Sequence, residues 1–329
     1  MRVLLRIDET KDDAPRWHAA LRAASEVSII WHAESKISES IAREIEVAVV
    51  ANPPPGALVG FPNLKFVQSL WAGVDELLDD KTVPRRLVIA RMVDPELATA
   101  MAETALWATL SLHRGFFRYA QQQARGQWRQ LPRCQACARE VRVTVLGMGE
   151  MGRAVATTLV SQGYQVRGWR LGVRVDETTD DGGLQHANDS RIPVELGRES
   201  LMPLLARTDI LINLLPLTSQ TRGIINREFL FALPPGAALV NLARGGHLVE
   251  ADLIDALNDD QISHAVLDVF TTEPLPIGHD FWHHPCVTIL PHAAALTNPD
   301  TAAMVVSRQL SKWQSGQPVA HQVERSRGY

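Results

Sequence analysis

The stretch Val141–Arg170 reads VRVTVLGMGEMGRAVATTLVSQGYQVRGWR. An apolar run, Val141–Leu146, leads directly into the pattern G-x-G-x-x-G, and a helical pattern follows. This order of strand, glycine turn and helix is the context that the dinucleotide-binding fingerprint requires. Gly147 permits the tight turn, Gly149 lets the backbone approach a pyrophosphate, and Gly152 lets the helix pack on the strand. The helix N-terminus then offers free N–H groups to the phosphates, so the stretch predicts a Rossmann unit.

The second strand of this unit ends in Trp169 and Arg170, at the position that distinguishes sites for NAD from sites for NADP. A site for NAD usually places Asp or Glu about 20 residues after the first glycine, where it holds the ribose 2′-OH. No carboxylate occurs here before Asp176, and Arg170 takes that place with Arg174 nearby. A guanidinium can pair with a 2′-phosphate, although a solvated arginine on a surface loop is the ordinary alternative. The sequence therefore favours NADPH and leaves NAD as the alternative cofactor.

Short apolar runs alternate with helical patterns along most of the chain, as in parallel sheets covered by helices. The first part predicts strands at Val3–Ile7, Val27–Trp31, Val47–Ala51, Phe66–Leu70 and Leu87–Ala90. The second part predicts strands at Val143–Leu146, Gln165–Trp169, Ile210–Leu214, Ala238–Leu242, Ala265–Val269 and Val287–Leu290. Helices are predicted from Pro95 to about Gln123 and at Gly152–Gln162, Glu250–Leu257 and Pro299–Gln314.

We therefore predict an α/β protein of two Rossmann-like domains, each with a doubly wound parallel sheet. The NADP-binding Rossmann domain, residues 96–295, is inserted into a flavodoxin-like substrate domain made of residues 1–95 and 296–329. The chain of 329 residues is long enough for about two domains of ordinary size.

The composition argues against several classes of partner. The chain is 46% hydrophobic and 21% charged with a net charge of −4, so its composition does not indicate binding to nucleic acid or to an anionic membrane. No run of about 18 apolar residues occurs, and the N-terminus turns polar within a few residues, which predicts a cytoplasmic protein. Cys134 and Cys137 form one C-x-x-C, either a redox dithiol or half a zinc site, but no second pair follows. We interpret them as linker residues and predict no metal site.

Three further segments place polar residues after apolar strands. Arg244 follows the strand in VNLARGG, Glu273 lies in LDVFTTEPL after Asp268, and His292 lies in ILPHAA. In doubly wound folds the carboxyl ends of the strands converge on the ligand crevice, so these side chains are expected to meet. Taken singly, each has an ordinary interpretation as a surface ion-pair partner, a turn carboxylate or a loop residue. Together they predict a catalytic site.

The chain resembles the D-2-hydroxyacid dehydrogenase family, and within it the glyoxylate/hydroxypyruvate reductase A type. The resemblance covers nearly the whole chain and rests on LGMGEMG, LINLLPLTSQTRGIIN, NLARGGHLVEADL, LDVFTTEPLP, LPHAAA and VERSRGY. It implies that Arg244 holds the carboxylate of a small 2-keto acid and polarises its keto oxygen. It implies further that His292 donates a proton to that oxygen, while Glu273 fixes the imidazole and favours its protonated form.

The resemblance also supplies the remaining predicted contacts. The expected nucleotide contacts are Gly147, Gly149, Glu150, Met151, Gly152, Trp169, Arg170, Leu215, Pro216, Thr221, Leu242, Ala243 and Asp268, the last at the nicotinamide amide. Substrate contacts are expected from Arg244 and His292 and from the loop of Trp71, Ala72 and Gly73. A homodimer that pairs through the region of the long helix from Pro95 is also implied.

Two features leave the substrate open. The turn Ala51-Asn52-Pro53-Pro54 lacks the Trp or basic residue that the subgroup often carries, and Trp71 is bulky beside the expected carboxylate loop. Glyoxylate and hydroxypyruvate are the expectation, with phenylpyruvate-like acids as an alternative. Two other functions stay open as well: an NAD-dependent D-2-hydroxyacid or phosphoglycerate dehydrogenase, and a nucleotide-sensing binding protein without turnover.

Overall fold

A computed structural model describes residues 1–8, 13–25, 27–31, 37–131, 136–172 and 192–328. Its strands are β1 (Arg2–Ile7), β2 (Ser28–Trp31), β3 (Ile45–Ala51), β4 (Phe66–Ser69), β5 (Val88–Ala90), β6 (Arg142–Leu146), β7 (Gln165–Arg170), β8 (Val194–Leu196), β9 (Ile210–Asn213), β10 (Ala237–Asn241), β11 (Ile262–Leu267) and β12 (Val287–Ile289). Its α-helices are α1 (Ala14–Ala24), α2 (Glu39–Ala42), α3 (Asp75–Asp79), α4 (Pro95–Arg114), α5 (Phe116–Ala124), α6 (Glu150–Ser161), α7 (Leu201–Leu205), α8 (Arg227–Ala232), α9 (Glu250–Asn258) and α10 (Pro299–Gln314).

The chain divides into two compact units. One consists of Met1–Leu97 and Thr297–Tyr329, and the other of Ala98–Leu296. The first unit holds a parallel five-stranded sheet in the order β2-β1-β3-β4-β5, which is the flavodoxin-like order. Helix α10 returns to this unit, where Val306 and Leu310 share a buried core with Phe66 of β4. The predicted flavodoxin-like sheet is confirmed.

The second unit holds a parallel seven-stranded sheet in the order β12-β11-β10-β9-β6-β7-β8. Its first strand, β6, lies between β7 and β9, so the order of strands reverses there, as in the Rossmann fold. At this point Leu146 of β6 pairs with Asn213 of β9. Ligands of such sheets bind outside the carboxyl ends of the strands at the reversal, and both the glycine turn and the loop after β9 begin there.

The long helix predicted from Pro95 to Gln123 is wrong in one respect, because two helices occupy that span. Helix α4 ends at Arg114, and α5 begins at Phe116. Gly115 between them adopts φ = +70°, a left-handed conformation that interrupts the hydrogen-bonded ladder. Strand β8 and the short helices α7 and α8 were also absent from the sequence prediction.

Two negative findings concern the described residues alone. No helix among them is both long and apolar enough to cross a membrane. The same residues contain no group of three or more His, Cys, Asp or Glu side chains arranged to hold a metal ion. Cys134 and Arg174, both named in the sequence predictions, lie outside the described residues.

Candidate active site

The three glycines of the turn after β6 occupy three different environments. Gly147 has φ = +93°, and a Cβ there would lie 2.5 Å from the Leu214 carbonyl oxygen. A Cβ at Gly152 would lie 1.8 Å from the Gly147 carbonyl oxygen, so only glycine lets α6 approach the turn. At Gly149, in contrast, a Cβ would meet no atom within 4 Å. The turn is therefore tightly packed on two sides and open at the one glycine that should face a pyrophosphate.

Helix α6 starts at this open position. Gly149 is its N-cap and supplies no side-chain cap, so the first-turn N–H groups have no partner from the cap residue. Glu150 lies in the first turn, and its carboxylate is 3.5 Å from the guanidinium of Arg153. An uncapped helix N-terminus beside a glycine with open space around it is a suitable binding site for the phosphates of a dinucleotide.

Trp169 and Arg170 at the end of β7 face different environments. Trp169 is fully buried, and its indole Nε1 donates to the Gly197 carbonyl oxygen at 3.0 Å. Its side chain is therefore a core residue, and the expected contact of Trp169 with a nucleotide stays a prediction. Arg170, the last residue of the strand, is only partly buried. The role of Arg170 at a 2′-phosphate stays a prediction.

The loops after β9 and β10 contain the next group of predicted nucleotide residues. The Thr221 hydroxyl donates to the Pro216 carbonyl oxygen at 2.7 Å and accepts the Thr218 N–H at 2.9 Å. Leu215, Thr221, Leu242 and Ala243 are all buried. The side chains of these residues are packed into the loops, and their contact with a nucleotide stays a prediction.

His292 and Glu273 form the central ion pair of the site. His292 Nδ1 lies 2.7 Å from Glu273 Oε2, and Glu273 Oε1 accepts the Phe270 N–H at 2.8 Å. The carboxylate is thus held on both oxygens, and the imidazole side chain remains about half exposed.

Charge and hydrogen bonding shift the pKa values of both His292 and Glu273. The hydrogen bond to Glu273 raises the pKa of His292 above its ordinary value, against the opposing effect of burial. Burial raises the pKa of Glu273, but the hydrogen bonds from His292 and the Phe270 N–H outweigh it, and the net pKa is lowered. The pair therefore favours an imidazolium beside a carboxylate.

The backbone of His292 is held in an uncommon conformation. Its φ is +54°, in the left-handed region that non-glycine residues rarely adopt. The His292 N–H donates to the Asp268 carbonyl oxygen at 2.9 Å, and the Asp268 carboxylate accepts from the Ala293 and Ala294 N–H groups at 2.7 and 3.1 Å. Asp268 is 2% exposed, and burial raises its pKa against these bonds. Sequence reasoning missed this anchoring of the histidine turn by Asp268, because partners 24 or more positions along the chain leave no local signal.

Arg244 lies at the end of the loop after β10, close to the same pair. Its Nη1 donates to the Ala243 carbonyl oxygen at 2.7 Å, and its charge lowers the pKa of both Glu273 and His292. The following residue, Gly245, has no room for a side chain, since a Cβ would lie 1.9 Å from the Phe270 carbonyl carbon. This close packing brings the Arg244 loop against the loop of Glu273, so the arginine, the carboxylate and the imidazole share one electrostatic environment.

The predicted substrate loop lies in the first unit, directly after β4. The Trp71 ring packs edge-on against Trp17 with the ring centroids 5.8 Å apart. The Trp71 N–H donates to Ser69 Oγ at 3.0 Å, so this backbone group is engaged within the loop. The buried indole Nε1 of Trp71 has no hydrogen-bond partner among the described residues, so this side chain still offers a donor.

The chain is similar to one known protein family and to enzymes of that family. Residues 106–294 match the family model described as D-isomer specific 2-hydroxyacid dehydrogenase, NAD binding domain. The glyoxylate/hydroxypyruvate reductase A of Serratia proteamaculans (strain 568) is 38% identical over 293 residues, which cover 87% of this chain and 88% of that protein. The enzyme of the same name from Salmonella heidelberg (strain SL476) is 38% identical over 291 residues, covering 86% and 88% respectively.

Two solved structures are similar over the full length. A D-isomer specific 2-hydroxyacid dehydrogenase from Xanthobacter autotrophicus Py2, in complex with NADPH and MES, has a TM-score of 0.89 at 34% identity and covers 99% of each chain. An NADPH-dependent glyoxylate/hydroxypyruvate reductase from Sinorhizobium meliloti, in complex with NADP and sulfate, has a TM-score of 0.85 at 32% identity. It covers 100% of this chain and 99% of its own.

Proposed function

This chain belongs to the D-isomer specific 2-hydroxyacid dehydrogenase family, and we propose that it reduces small 2-keto acids to D-2-hydroxy acids with NADPH. The observation that carries the proposal is the contact of 2.7 Å between His292 and Glu273, within the field of Arg244. Proton donor, orienting carboxylate and guanidinium are the three groups that reduction of a keto acid requires. Relatives that are 38% identical are named glyoxylate/hydroxypyruvate reductase A, which makes these two acids the first candidate substrates.

The residues of the second unit fit a dinucleotide. The space at Gly149 and the uncapped start of α6 suit the pyrophosphate, and Arg170 suits a 2′-phosphate. NADPH, when bound, supplies the hydride. The two similar solved structures contain NADPH and NADP, which supports the same choice for this chain. In this proposal Ala98–Leu296 is the nucleotide-binding domain, and Met1–Leu97 with Thr297–Tyr329 is the substrate domain.

The protein groups then divide the remaining tasks. Arg244 holds the substrate carboxylate through its planar guanidinium and draws electron density from the keto oxygen. His292 gives a proton from Nε2 to that oxygen, since its Nδ1 faces Glu273. Glu273 keeps the ring oriented, and its negative charge stabilises the imidazolium before transfer. After transfer the neutral ring takes a proton from water, to which its half-exposed side chain has access.

A panel of 2-keto acids tests the proposal. The purified protein is mixed with NADPH or NADH and with glyoxylate, hydroxypyruvate, pyruvate or phenylpyruvate, and the loss of nicotinamide absorbance is followed. We expect turnover with glyoxylate and hydroxypyruvate and a preference for NADPH. Oxidation of D-3-phosphoglycerate with NAD, without reduction of either acid, would contradict the proposal. Tight NADPH binding without turnover of any acid would instead indicate a nucleotide-sensing protein.

We also propose a homodimer formed by the second unit. Large aromatic side chains stay exposed along α4, α5 and the segment after them, with Trp107 at 41%, Phe116 at 54% and Trp128 at 100%. Exposed aromatic groups on one region favour a protein contact, and a second copy is the occupant that the family resemblance implies. Light scattering is expected to give twice the chain mass, and a monomer mass would contradict the dimer. The cytoplasmic location expected from the sequence stays a prediction.

A further inference from the structure

His247 is a fully buried histidine between two loops of the second unit. It ends the short 3-10 turn Gly245–His247, just after Arg244, and its side chain has no exposed surface. Its Nδ1 lies 3.1 Å from the Arg244 carbonyl oxygen, and its Nε2 lies 3.2 Å from the Pro216 carbonyl oxygen. One imidazole thus contacts the backbone of the proposed substrate arginine and the backbone of a predicted nucleotide loop.

The surroundings of the ring tie these two loops together. The Pro216 carbonyl oxygen also accepts the Thr221 hydroxyl at 2.7 Å, and the Arg244 carbonyl oxygen accepts Asn241 Nδ2 at 3.2 Å. The backbone adds a contact in which the Ile225 N–H donates to the His247 carbonyl oxygen at 2.9 Å. The imidazole therefore lies inside a hydrogen-bonded connection between the loop after β9 and the loop after β10.

The chemistry of the contacts limits what the residue does. Both partners are carbonyl oxygens, which only accept, so each contact needs an N–H on the ring. A neutral imidazole offers one N–H and can hold only one of the two carbonyls, so both contacts are hydrogen bonds together only in the imidazolium, which offers two. An aliphatic side chain of similar size offers none. Each carbonyl keeps another donor, since Thr221 Oγ1 donates to Pro216 and the His247 N–H and Asn241 Nδ2 donate to Arg244. Loss of a ring N–H therefore weakens the connection between the loops by one hydrogen bond, at a modest cost in free energy.

We propose that His247 is a positioning residue, which fixes the Arg244 backbone through Nδ1 and the Pro216 loop through Nε2. The inference rests on the proposed function, because it assigns the first loop to the keto acid and the second to the nucleotide. Its specific consequence is that the two ends of one ring serve two different ligands.

Two substitutions separate the two ends of the ring. In His247→Asn the amide nitrogen takes the place of Nδ1, so the bond to Arg244 is kept and the bond to Pro216 is lost. In His247→Gln the longer side chain brings its amide nitrogen to the place of Nε2, with the opposite result. Thr221→Val is the matched control, since it removes the other donor to the Pro216 carbonyl oxygen and leaves the Arg244 contact intact.

Binding is measured without turnover, by calorimetry with NADPH and then with oxalate, a keto-acid mimic that cannot be reduced, on the protein saturated with NADP. We expect Kd for NADPH to rise about fivefold in His247→Asn and Thr221→Val, with oxalate affinity unchanged. In His247→Gln we expect Kd for oxalate to rise about fivefold, with NADPH affinity unchanged. His247→Leu should weaken both ligands.

Equal losses for both ligands in the Asn and Gln variants, or no loss in either, would overturn the inference, since a packing role predicts no crossed pattern. Thermal unfolding of each variant shows whether it is folded, and a folded His247→Asn or His247→Gln variant tests its own end of the ring even if the other is unfolded. Failure of the proposed function has a different signature: the wild-type protein would then reduce no keto acid, whatever the pattern of the two dissociation constants.

Discussion

Alanine at Gly149 should lower nucleotide affinity and leave folding stability unchanged, whereas alanine at Gly152 should lower folding stability. Gly149 has φ = −80° and ψ = −162°, which alanine adopts without strain, and a Cβ there meets nothing within 4 Å. The free energy of unfolding should therefore change by less than about 0.5 kcal/mol. The new methyl group instead fills the space beside the start of α6. A phosphate that loses one charge-assisted bond to a backbone N–H loses about 1.5–3 kcal/mol, so Kd for NADPH should rise about 10- to 100-fold.

Gly152→Ala should instead affect the fold first. Its Cβ would lie 1.8 Å from the Gly147 carbonyl oxygen, which is backbone and cannot rotate away. Helix α6 must move, at a cost of about 1–3 kcal/mol or more. For a domain of about 150–250 residues each kcal/mol shifts Tm by about 2–4 °C, so Tm should fall by roughly 2–12 °C.

The assay is thermal unfolding of both variants without nucleotide, followed by fluorescence titration with NADPH. The expected result is a Gly149→Ala protein with wild-type Tm and weak binding, beside a Gly152→Ala protein with a clearly lower Tm. A Gly149→Ala variant that binds NADPH like the wild type would refute the placement of the pyrophosphate. Equal loss of Tm in both variants would refute the argument that Gly149 faces open space.

Three further predictions address cofactor choice and pH. In Glu273→Gln the pKa of His292 should fall because the carboxylate that raises it is lost, so kcat/KM for glyoxylate should decline at lower pH than in the wild type; identical pH profiles would remove Glu273 from its role. Arg170→Asp should shift the ratio of kcat/KM from NADPH toward NADH by about tenfold or more, and a wild-type protein that uses both nucleotides equally would contradict the role of Arg170. Burial lowers the pKa of His264 from 6.5 to about 4, so urea titrations should show its contribution to stability falling as the pH drops below 6.5, and His264→Gln should flatten that slope. An unchanged slope would show that His264 does not cause the loss of stability at acid pH.

The sequence was sufficient to predict those features of the fold and the site that depend on local residue patterns and on the topology of a parallel sheet. The turn at Gly147 was predictable because this glycine spacing between a strand pattern and a helix pattern is typical of a dinucleotide-binding turn. The approach of Arg244, Glu273 and His292 could be anticipated because parallel strands end at one edge of a sheet. These signals need no knowledge of distant contacts beyond the topology itself.

Other features depend on contacts that a linear reading cannot place. Trp169 and Arg170 are adjacent in sequence, yet successive residues of a strand point to opposite faces, which puts one in the core and the other at the edge. The apolar pattern of α4 and α5 continues through Gly115, so only the left-handed backbone there reveals the break. The anchoring of the His292 turn by Asp268 and the burial of His247 between two loops arise from tertiary packing.

His292→Ala removes the proposed proton donor of the keto-acid reductase. We expect kcat with glyoxylate and NADPH to fall by about 10²- to 10⁴-fold, while Kd for NADPH and Tm stay near the wild-type values. A variant that keeps turnover within a few-fold of the wild type, with the nucleotide still bound, would rule out His292 as the proton donor.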